Sequence, residues 1–366
     1  MTKKTKNIVV TFVVVAFFLS ASIFAWLKPA DDFSLSERRK LSQFPELSFK
    51  TIISGDFMSN FENYTLDQFP LRDKFRTLKA LVTLNVFNQS ANNNIYVVDG
   101  YASKIEYPLN EASVKRAGER FQYVYEKYLK DSNTKNYLSI IPDKNYFLAK
   151  ENGYLSVDFE KMISLLKDNT DFLTYIDIAN ELEASDYYKT DTHWREENIV
   201  DVAEKIGAGM GVNVKAEYDV KVLDVDFYGV YYGQSALPLK SEKIKYLTNN
   251  TLESCKVFDY QNNKEISVYD MEKAAGKDPY EMFLGGPLSL VTIENENAKT
   301  DKELVIFRDS FGSSIAPLLV EGYKKITLVD IRYIHPNMLQ NYIEFDSQDV
   351  LFLYSTSVLN NSETIK

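Results

Sequence analysis

Cysteine and histidine are the scarcest chemically active residues of this 366-residue chain, which has one cysteine, Cys255, and two histidines. A single thiol cannot form an internal disulfide and excludes a metal site built on cysteines, and two histidines leave little for a zinc site. We therefore expect neither a bound metal nor a cofactor. His335 precedes Pro336 at a predicted helix start, where we expect a structural or exposed role. This leaves His193 for chemistry.

Basic residues are also in deficit, because 42 lysines and arginines face 52 aspartates and glutamates, for a formal net charge of −10. Three of the lysines, Lys3, Lys4 and Lys6, belong to the N-terminal tail, so the rest of the chain is more acidic still. An acidic folded body is a poor binder of phosphate backbones. Nucleic acid is therefore not an expected partner.

Charge is absent from residues 8–27, a run of twenty residues that follows the three tail lysines. Twenty apolar residues span a bilayer, and the lysine-rich side is expected to remain in the cytoplasm. A cleavable signal peptide is the alternative, since Ser20, Ala21 and Ser22 offer small residues near a cleavage site. We favour an uncleaved anchor over residues 1–28, a single pass of the cell membrane that leaves the body outside the cytoplasm.

The remainder divides into a tether with a helical collar, residues 29–94, and a larger domain, residues 95–366, that begins with a β-hairpin around Asp99-Gly100. In that domain, helices are predicted over 111–130, 158–168, 195–210, 313–322 and 336–344, and strands over 137–141, 173–178, 304–307, 326–330 and 350–354. Short apolar strands between amphipathic helices indicate an α/β fold with a mostly parallel sheet covered on both faces. Residues 215–300 are less regular, and we interpret them as an insertion that lines the site.

Ser310 lies where an apolar strand should turn into a helix, in Asp309-Ser310-Phe-Gly312. Open α/β sheets bind ligands outside the carboxyl ends of their strands. The Ser310 N–H at a helix start would face a developing oxyanion, and Gly312 would allow close approach of a substrate. The alternative is that Asp309 and Ser310 merely cap the helix.

His193 lies two residues after Asp191 in a segment that is typical of neither helix nor strand. A neutral imidazole accepts a serine proton only if its other nitrogen is held by an acceptor, and Asp191 is close enough in sequence to hold it. An incidental loop histidine beside an aspartate is the alternative. Taken with Ser310, the three residues predict an acyl-transfer triad.

Two further side chains are substrate candidates, each with a plainer interpretation. Arg332 follows a predicted strand that ends at Asp330, so it either reaches a substrate oxygen or forms a salt bridge. Trp194, next to His193, either packs under its loop or stacks on a sugar.

The segments Asp191-Thr-His-Trp194 and Asp309-Ser-Phe311, in that order, resemble the DHHW family and related alginate-O-acetyltransferase-type proteins of the SGNH hydrolase superfamily. The resemblance spans residues 36–355, with support from Ser36-Glu-Arg-Arg-Lys40, Asp67-Gln-Phe-Pro-Leu-Arg-Asp73, Ile141-Pro-Asp-Lys144 and Asp330-Ile-Arg-Tyr333. It implies an extracytoplasmic SGNH/flavodoxin-like three-layer sandwich. By position, Ser310 would be the nucleophile, His193 the base and Asp191 the residue that orients it.

The same resemblance implies O-acetylation of an exported polysaccharide, beside a membrane-bound acyltransferase that supplies the acetyl groups. SGNH-type sites often use a glycine and an asparagine as oxyanion donors, but here Gly285-Gly286 is followed by Pro287. The N–H groups of Gly286 and Gly233 are therefore our candidates for a second donor. Two alternatives stay open: an acetyl esterase with the same triad, and a non-catalytic polysaccharide-binding or assembly protein.

Overall fold

The computed structural model describes residues 2–366, with the backbone alone for Ala21. The chain forms two compact units. One contains the residues up to Asn93 together with the short segment Tyr232–Pro238, and the other contains Asn94–Tyr231 and Leu239–Lys366. The predicted triad lies wholly in the second unit.

The first unit is mainly helical. Its elements are α1 Lys3–Leu27, β1 Phe33–Ser34, β2 Arg39–Lys40, α2 Phe49–Ser54, α3 Asp56–Asp67 and α4 Arg72–Asn85. Helix α1 is long and apolar enough to cross a membrane, as the uncharged run predicts. Helices α3 and α4 are separate because Pro70 between them lacks the N–H that a continuous helix would need.

The second unit contains twelve strands and nine α-helices among the described residues. Its strands are β3 Ile95–Val98, β4 Tyr101–Lys104, β5 Lys135–Ile141, β6 Thr174–Tyr175, β7 Asp219–Val222, β8 Lys245–Thr248, β9 Lys256–Asp259, β10 Lys264–Ile266, β11 Leu290–Glu294, β12 Glu303–Arg308, β13 Lys325–Val329 and β14 Asp349–Ser355. Its helices are α5 Glu111–Val124, α6 Lys144–Leu148, α7 Phe159–Asp168, α8 Val200–Gly209, α9 Val230–Ser235 (which runs on into the first unit), α10 Asn250–Ser254, α11 Met271–Ala274, α12 Gly312–Ile315 and α13 Thr356–Asn360.

Eight strands form the central sheet in the order β10-β9-β11-β13-β12-β14-β5-β6. The five strands from β13 to β6 are parallel, whereas β11 is antiparallel to both β13 and β9, and β9 pairs with β10 as a hairpin. Residues 215–300, which the sequence predicts to be less regular, supply the strands β9, β10 and β11 of this sheet. Antiparallel strands need no helix between them, so the alternation of helices and strands does not reveal them.

Side chains of the parallel strands alternate between two apolar cores. In β14, Leu351 and Leu353 join the core that includes α8, whereas Val350, Phe352 and Tyr354 join the core beneath α5 and α7. Helices therefore cover both faces of the sheet. The predicted α/β three-layer sandwich with a mostly parallel sheet is confirmed.

Three predicted helices are shorter or tighter than expected. The predicted 195–210 helix begins as α8 at Val200, after a 3₁₀ turn Glu196–Asn198. Helix α12 gives way to a 3₁₀ turn, Ala316–Gly322, because Pro317 cannot donate an α-helical bond. The predicted 336–344 helix is a 3₁₀ turn, Pro336–Asn341.

Replacement of Phe352 by alanine should test the core beneath α5 and α7. The Phe352 ring is fully buried and lies 4.9 Å from the Phe121 ring and 4.7 Å from the Phe307 ring, centroid to centroid. A cavity there should lower the free energy of unfolding by about 3–5 kcal/mol in urea denaturation. Leu155→Ala, at a side chain that is 55% exposed, is the control and should change it by less than about 0.5 kcal/mol. A similar small loss for Phe352→Ala would contradict this packing.

Candidate active site

Ser310 lies at the carboxyl edge of the sheet, where β12 ends at Arg308 beside β14. The buried Asp309 carboxylate fixes this turn, since it accepts hydrogen bonds from the Phe311 N–H (3.0 Å) and from the Ser355 N–H (2.8 Å) at the end of β14. The turn that presents Ser310 is thereby tied to two neighbouring strands.

Gly312 is needed by this turn for a reason that differs from our expectation. A Cβ at Gly312 would lie 2.7 Å from the Arg308 Cβ, so the close approach is made by the chain's own side chain. Within residues 2–366, the Ser310 N–H donates to no acceptor.

The three predicted residues come together in hydrogen-bond distance. His193 Nε2 lies 2.7 Å from Ser310 Oγ, and His193 Nδ1 lies 2.6 Å from Asp191 Oδ1. The Asp191 carboxylate also accepts the His193 backbone N–H at 3.0 Å and the Val230 N–H at 2.8 Å. Asp191 is almost fully buried, whereas the His193 side chain keeps 13% of its surface exposed.

Two aromatic rings hold the His193 imidazole in place. The Tyr280 ring is nearly parallel to it, with centroids 4.0 Å apart, and the Phe311 ring lies 4.9 Å away. Burial raises the pKa of Tyr280 well above its usual value, so the phenol stays neutral. Sequence reasoning missed Tyr280, because nothing in its local sequence distinguishes it among 25 tyrosines.

Trp194 does not stack on a substrate, because its side chain is fully buried. Its indole N–H donates to Ser314 Oγ at 2.8 Å, and the Tyr280 hydroxyl lies 2.9 Å from the same oxygen. The sugar-stacking interpretation is therefore wrong, and the packing alternative is correct. Trp194 and Tyr280 together fix Ser314 in the helix that follows Ser310.

Arg332 forms the salt bridge that was the simpler of its two interpretations. Its Nε and Nη2 donate to the two carboxylate oxygens of the buried Asp330, at 2.9 Å and 2.7 Å. A guanidinium paired in this bidentate way is already satisfied by a carboxylate. We therefore assign no substrate contact to it.

Neither glycine candidate for the second oxyanion donor is supported. The Gly286 N–H already donates to the Phe283 carbonyl at 3.1 Å, so that candidate is wrong. Gly233 lies in the first unit, where a Cβ would overlap the Ser36 carbonyl and its own carbonyl accepts from Arg76 Nη2 at 2.6 Å. Close backbone packing accounts for a glycine at this position.

No group of three or more His, Cys, Asp or Glu side chains in residues 2–366 is placed to hold a metal ion. His335 caps the 3₁₀ turn Pro336–Asn341 through its ring Nδ1, which accepts the Asn337 N–H at 3.1 Å. This is the structural role expected for it.

Comparisons with known proteins identify relatives by structure alone, since no family model and no curated protein matches the sequence. A crystal structure of a DHHW family protein from Eubacterium siraeum aligns with 75% of this chain and 95% of its own, at 21% identity and a TM-score of 0.59. The resemblance to this family is confirmed at the level of the fold.

A second relative by structure is PatB1 of Bacillus cereus. It aligns with 74% of this chain and 98% of its own, at 18% identity and a TM-score of 0.56. A separate structure of PatB1 with a sulfonyl adduct aligns with 72% of this chain and 97% of its own, at 20% identity and a TM-score of 0.54. Identities this low establish a shared fold, so the activity must be argued from the residues of the site.

Replacement of Trp194 by phenylalanine should reduce stability through a lost hydrogen bond and lost volume beneath the site. We expect the free energy of unfolding in urea to fall by about 2–4 kcal/mol. Trp26→Phe is the matched control, because the ring of Trp26 in α1 is 79% exposed and its replacement should leave unfolding of the second unit unchanged. If Trp194→Phe kept wild-type stability but bound saccharide more weakly, the packing role would be contradicted and the sugar-stacking role supported.

Proposed function

We propose that this protein is an extracytoplasmic carbohydrate O-acetyltransferase that acts on an exported or cell-surface polysaccharide through an acetyl-serine intermediate. The observation that carries the proposal is the continuous relay from Ser310 Oγ through the His193 imidazole to the buried Asp191 carboxylate. A hydroxyl, a base and a carboxylate in this order are the groups that nucleophilic acyl transfer requires.

In the first half-reaction, His193 Nε2 takes the proton of Ser310 as the serine oxygen bonds to the acetyl carbonyl carbon. The carbonyl electron pair moves onto its oxygen, where the Ser310 N–H can donate to the oxyanion. Asp191 holds Nδ1–H and stabilises the imidazolium. Collapse of the tetrahedral intermediate expels the donor's leaving group, which takes the proton from His193, and Ser310 carries the acetyl group.

In the second half-reaction, His193 takes the proton of an acceptor hydroxyl as that oxygen attacks the acetyl carbon. The bond to Ser310 breaks, and the serine oxygen recovers the proton from His193. A sugar hydroxyl as acceptor gives a transferase, whereas water as acceptor gives the esterase that shares this triad. The same residues serve both, so the acceptor that reaches the acetyl-serine determines the activity.

Two further observations support the transfer proposal. The fold is shared with a DHHW family protein and with PatB1, for which a structure with a sulfonyl adduct exists. Sulfonyl fluorides react with activated serine hydroxyls, so such a reagent is a suitable probe of Ser310. The sequence segments around Asp191 and Ser310 resemble those of polysaccharide O-acetyltransferases.

Helix α1 supports a location of the protein at the cell membrane. It carries Lys3, Lys4 and Lys6 at its N-terminal end, and the uncharged run 8–27 follows them in the same helix. This arrangement is suited to anchor the protein, with the catalytic unit outside the cytoplasm. Acetyl groups made in the cytoplasm would have to cross the bilayer to reach it. We therefore propose a membrane-bound acyltransferase as the partner that supplies them.

The three triad residues should act as one catalytic unit. Ser310→Ala and His193→Ala should each lower turnover of an activated acetyl ester by about 10⁴-fold or more, and the double variant should be scarcely slower. Asp191→Asn should cost less than either, because the imidazole can still adopt the productive tautomer part of the time. Steady-state kinetics with an acetyl ester, with and without an oligosaccharide acceptor, measures these effects.

The control for the triad is Ser347→Ala, at an exposed serine that makes no contact with the triad. This variant should retain wild-type turnover. In a separate experiment, treatment of the wild type with a sulfonyl fluoride should give a protein in which mass spectrometry places the sulfonyl group on Ser310. Acetylated oligosaccharide would establish transfer, and release of acetate alone would establish the esterase. Wild-type turnover in Ser310→Ala would refute both and favour the non-catalytic binding protein.

The topology can be tested with thiol labelling in intact cells. In a Cys255→Ser background, Ser347→Cys should react with a membrane-impermeant maleimide before lysis, because the body is expected outside the cytoplasm. Thr5→Cys, at the lysine-rich end of α1, is the matched control and should react only after lysis. Labelling of Ser347→Cys only after lysis would overturn the topology, and loss of the Thr5 cysteine from the mature protein would indicate a cleaved signal.

A further inference from the structure

The segment Tyr188–His193 carries two of the three triad residues but has no regular secondary structure. Its ends are joined by one backbone hydrogen bond, from the Tyr188 N–H to the His193 carbonyl at 3.1 Å. Within it, the Thr190 N–H donates to Glu242 Oε2 at 3.0 Å, and the Thr190 carbonyl accepts the Tyr231 N–H at 2.9 Å. Interactions from outside the segment must therefore fix its shape.

Three further carbonyls of this segment converge on one buried side chain, and one of them, that of Lys189, also accepts the Ala102 N–H at 2.7 Å. Lys144 Nζ donates to the carbonyls of Tyr188 at 2.6 Å, Lys189 at 3.2 Å and Asp191 at 2.9 Å. An ammonium group has three N–H donors and no acceptor, so these three carbonyls use its full capacity. Lys144 is only 1% exposed, so no water can replace it without opening the structure.

Lys144 is itself anchored to the sheet. It begins helix α6 directly after β5, and Asp143 caps that helix by accepting the Asn145 N–H at 2.7 Å. The other oxygen of the Asp143 carboxylate accepts the Thr356 hydroxyl at 2.9 Å, immediately after β14. Lys144 thus extends from the same sheet edge that carries Ser310.

We propose that Lys144 is a positioning residue of this site, whose buried ammonium holds the Tyr188–Asp191 backbone at the distance from the sheet at which His193 meets Ser310. This inference rests on the proposed function, because it assigns a role to Lys144 in the same acyl transfer. The three hydrogen bonds that Lys144 Nζ donates all go to backbone carbonyls, so it acts through the backbone of the segment.

Burial and the neighbouring charged groups have opposite effects on the pKa of Lys144. Burial lowers its pKa to about 7, although the carboxylates of Asp191 and Glu242 act in the opposite direction. Arg195 adds to the lowering and Asp143 opposes it, and the rings of Tyr231 and Tyr101 face the ammonium at 5.3 Å and 5.9 Å.

Loss of the Lys144 proton should loosen the segment. A neutral amine has two N–H donors for three carbonyls, and its lone pair would face one of those oxygens. The competent form is the protonated one, so the contribution of Lys144 is present below its pKa and is lost as the pH rises through that value.

The experiment compares Lys144→Met, Lys144→Gln and the wild type in the full-length protein, with an activated acetyl ester as the substrate. Lys144→Met should lower kcat by about 10²-fold with little change in KM, because small displacements of catalytic groups have effects of this size. Lys150→Met is the matched control, an exposed lysine that follows α6, and should keep wild-type kcat. The melting transition reports whether each variant folds.

The pH profile separates positioning from a purely structural role. Wild-type kcat should fall as the pH rises above the Lys144 pKa, and this fall should be absent in Lys144→Gln, which keeps a donor but cannot titrate. The rate at which a sulfonyl fluoride modifies Ser310 should follow the same profiles. A merely structural residue would change the melting transition and leave the shape of the profile intact.

Two outcomes would overturn this inference. The first is a folded Lys144→Met protein with wild-type kcat. The second is a fall of kcat at high pH in Lys144→Gln that matches the fall in the wild type. The second outcome counts even if Lys144→Met does not fold. Ser310→Ala separates this failure from failure of the proposed function. If Ser310→Ala is inactive while the Lys144 variants are fully active, only the role of Lys144 is wrong.

Discussion

The site depends on the carboxylate of Asp191, although almost none of its surface reaches water. A buried carboxylate is costly unless hydrogen bonds replace its hydration. Here the backbone N–H groups of His193 and Val230 and the His193 ring satisfy it. Two of these donors belong to His193 itself, so the same stretch of backbone satisfies the buried carboxylate and orients the imidazole.

The imidazole needs a second constraint, because hydrogen bonds at its two nitrogens do not fix the tilt of its plane. Stacking against Tyr280 supplies it, and Tyr280 is in turn fixed beside Ser314, which also accepts the Trp194 indole N–H. The polar atoms of these aromatic side chains are uncharged, so Tyr280 and Trp194 restrict the His193 ring without adding a charge to the site. The side chains that surround Asp191 and His193 here, Tyr280 and Trp194, are therefore packing residues rather than further acids or bases.

Most of the fold and the triad could be predicted from the sequence, and the rest of the site could not, for one reason. Ser310 and Asp191 sit next to recognisable local signals: a strand followed by a helix, and an Asp-x-His step. Tyr280 and Lys144 act across large separations, and the hydrogen bond from Lys144 to Asp191 alone spans 47 residues. The sequence could not decide between the two interpretations of Trp194 and gave a wrong candidate in Gly286. Exposure and hydrogen bonding, which no sequence pattern displays, decide whether a side chain or an amide is available to a substrate.

Strands β9 to β11 were missed for a related reason, since a strand that pairs antiparallel needs no helix beside it in the sequence. Their position nevertheless matters to the site, because the insertion that contains them delivers Tyr280 to the His193 ring.

The division of the triad between two kinds of backbone explains why anchoring is needed. Ser310 is held by a strand end and by Asp309, which reaches the neighbouring strand β14. Asp191 and His193 share an irregular segment that no ladder of hydrogen bonds can hold. Ser310 Oγ and His193 Nε2 can stay 2.7 Å apart only if that segment is anchored to the sheet edge that carries Ser310. The proposed role of Lys144 is to make this connection from the end of β5, alongside the hydrogen bonds that the segment makes to Glu242, Val230 and Tyr231.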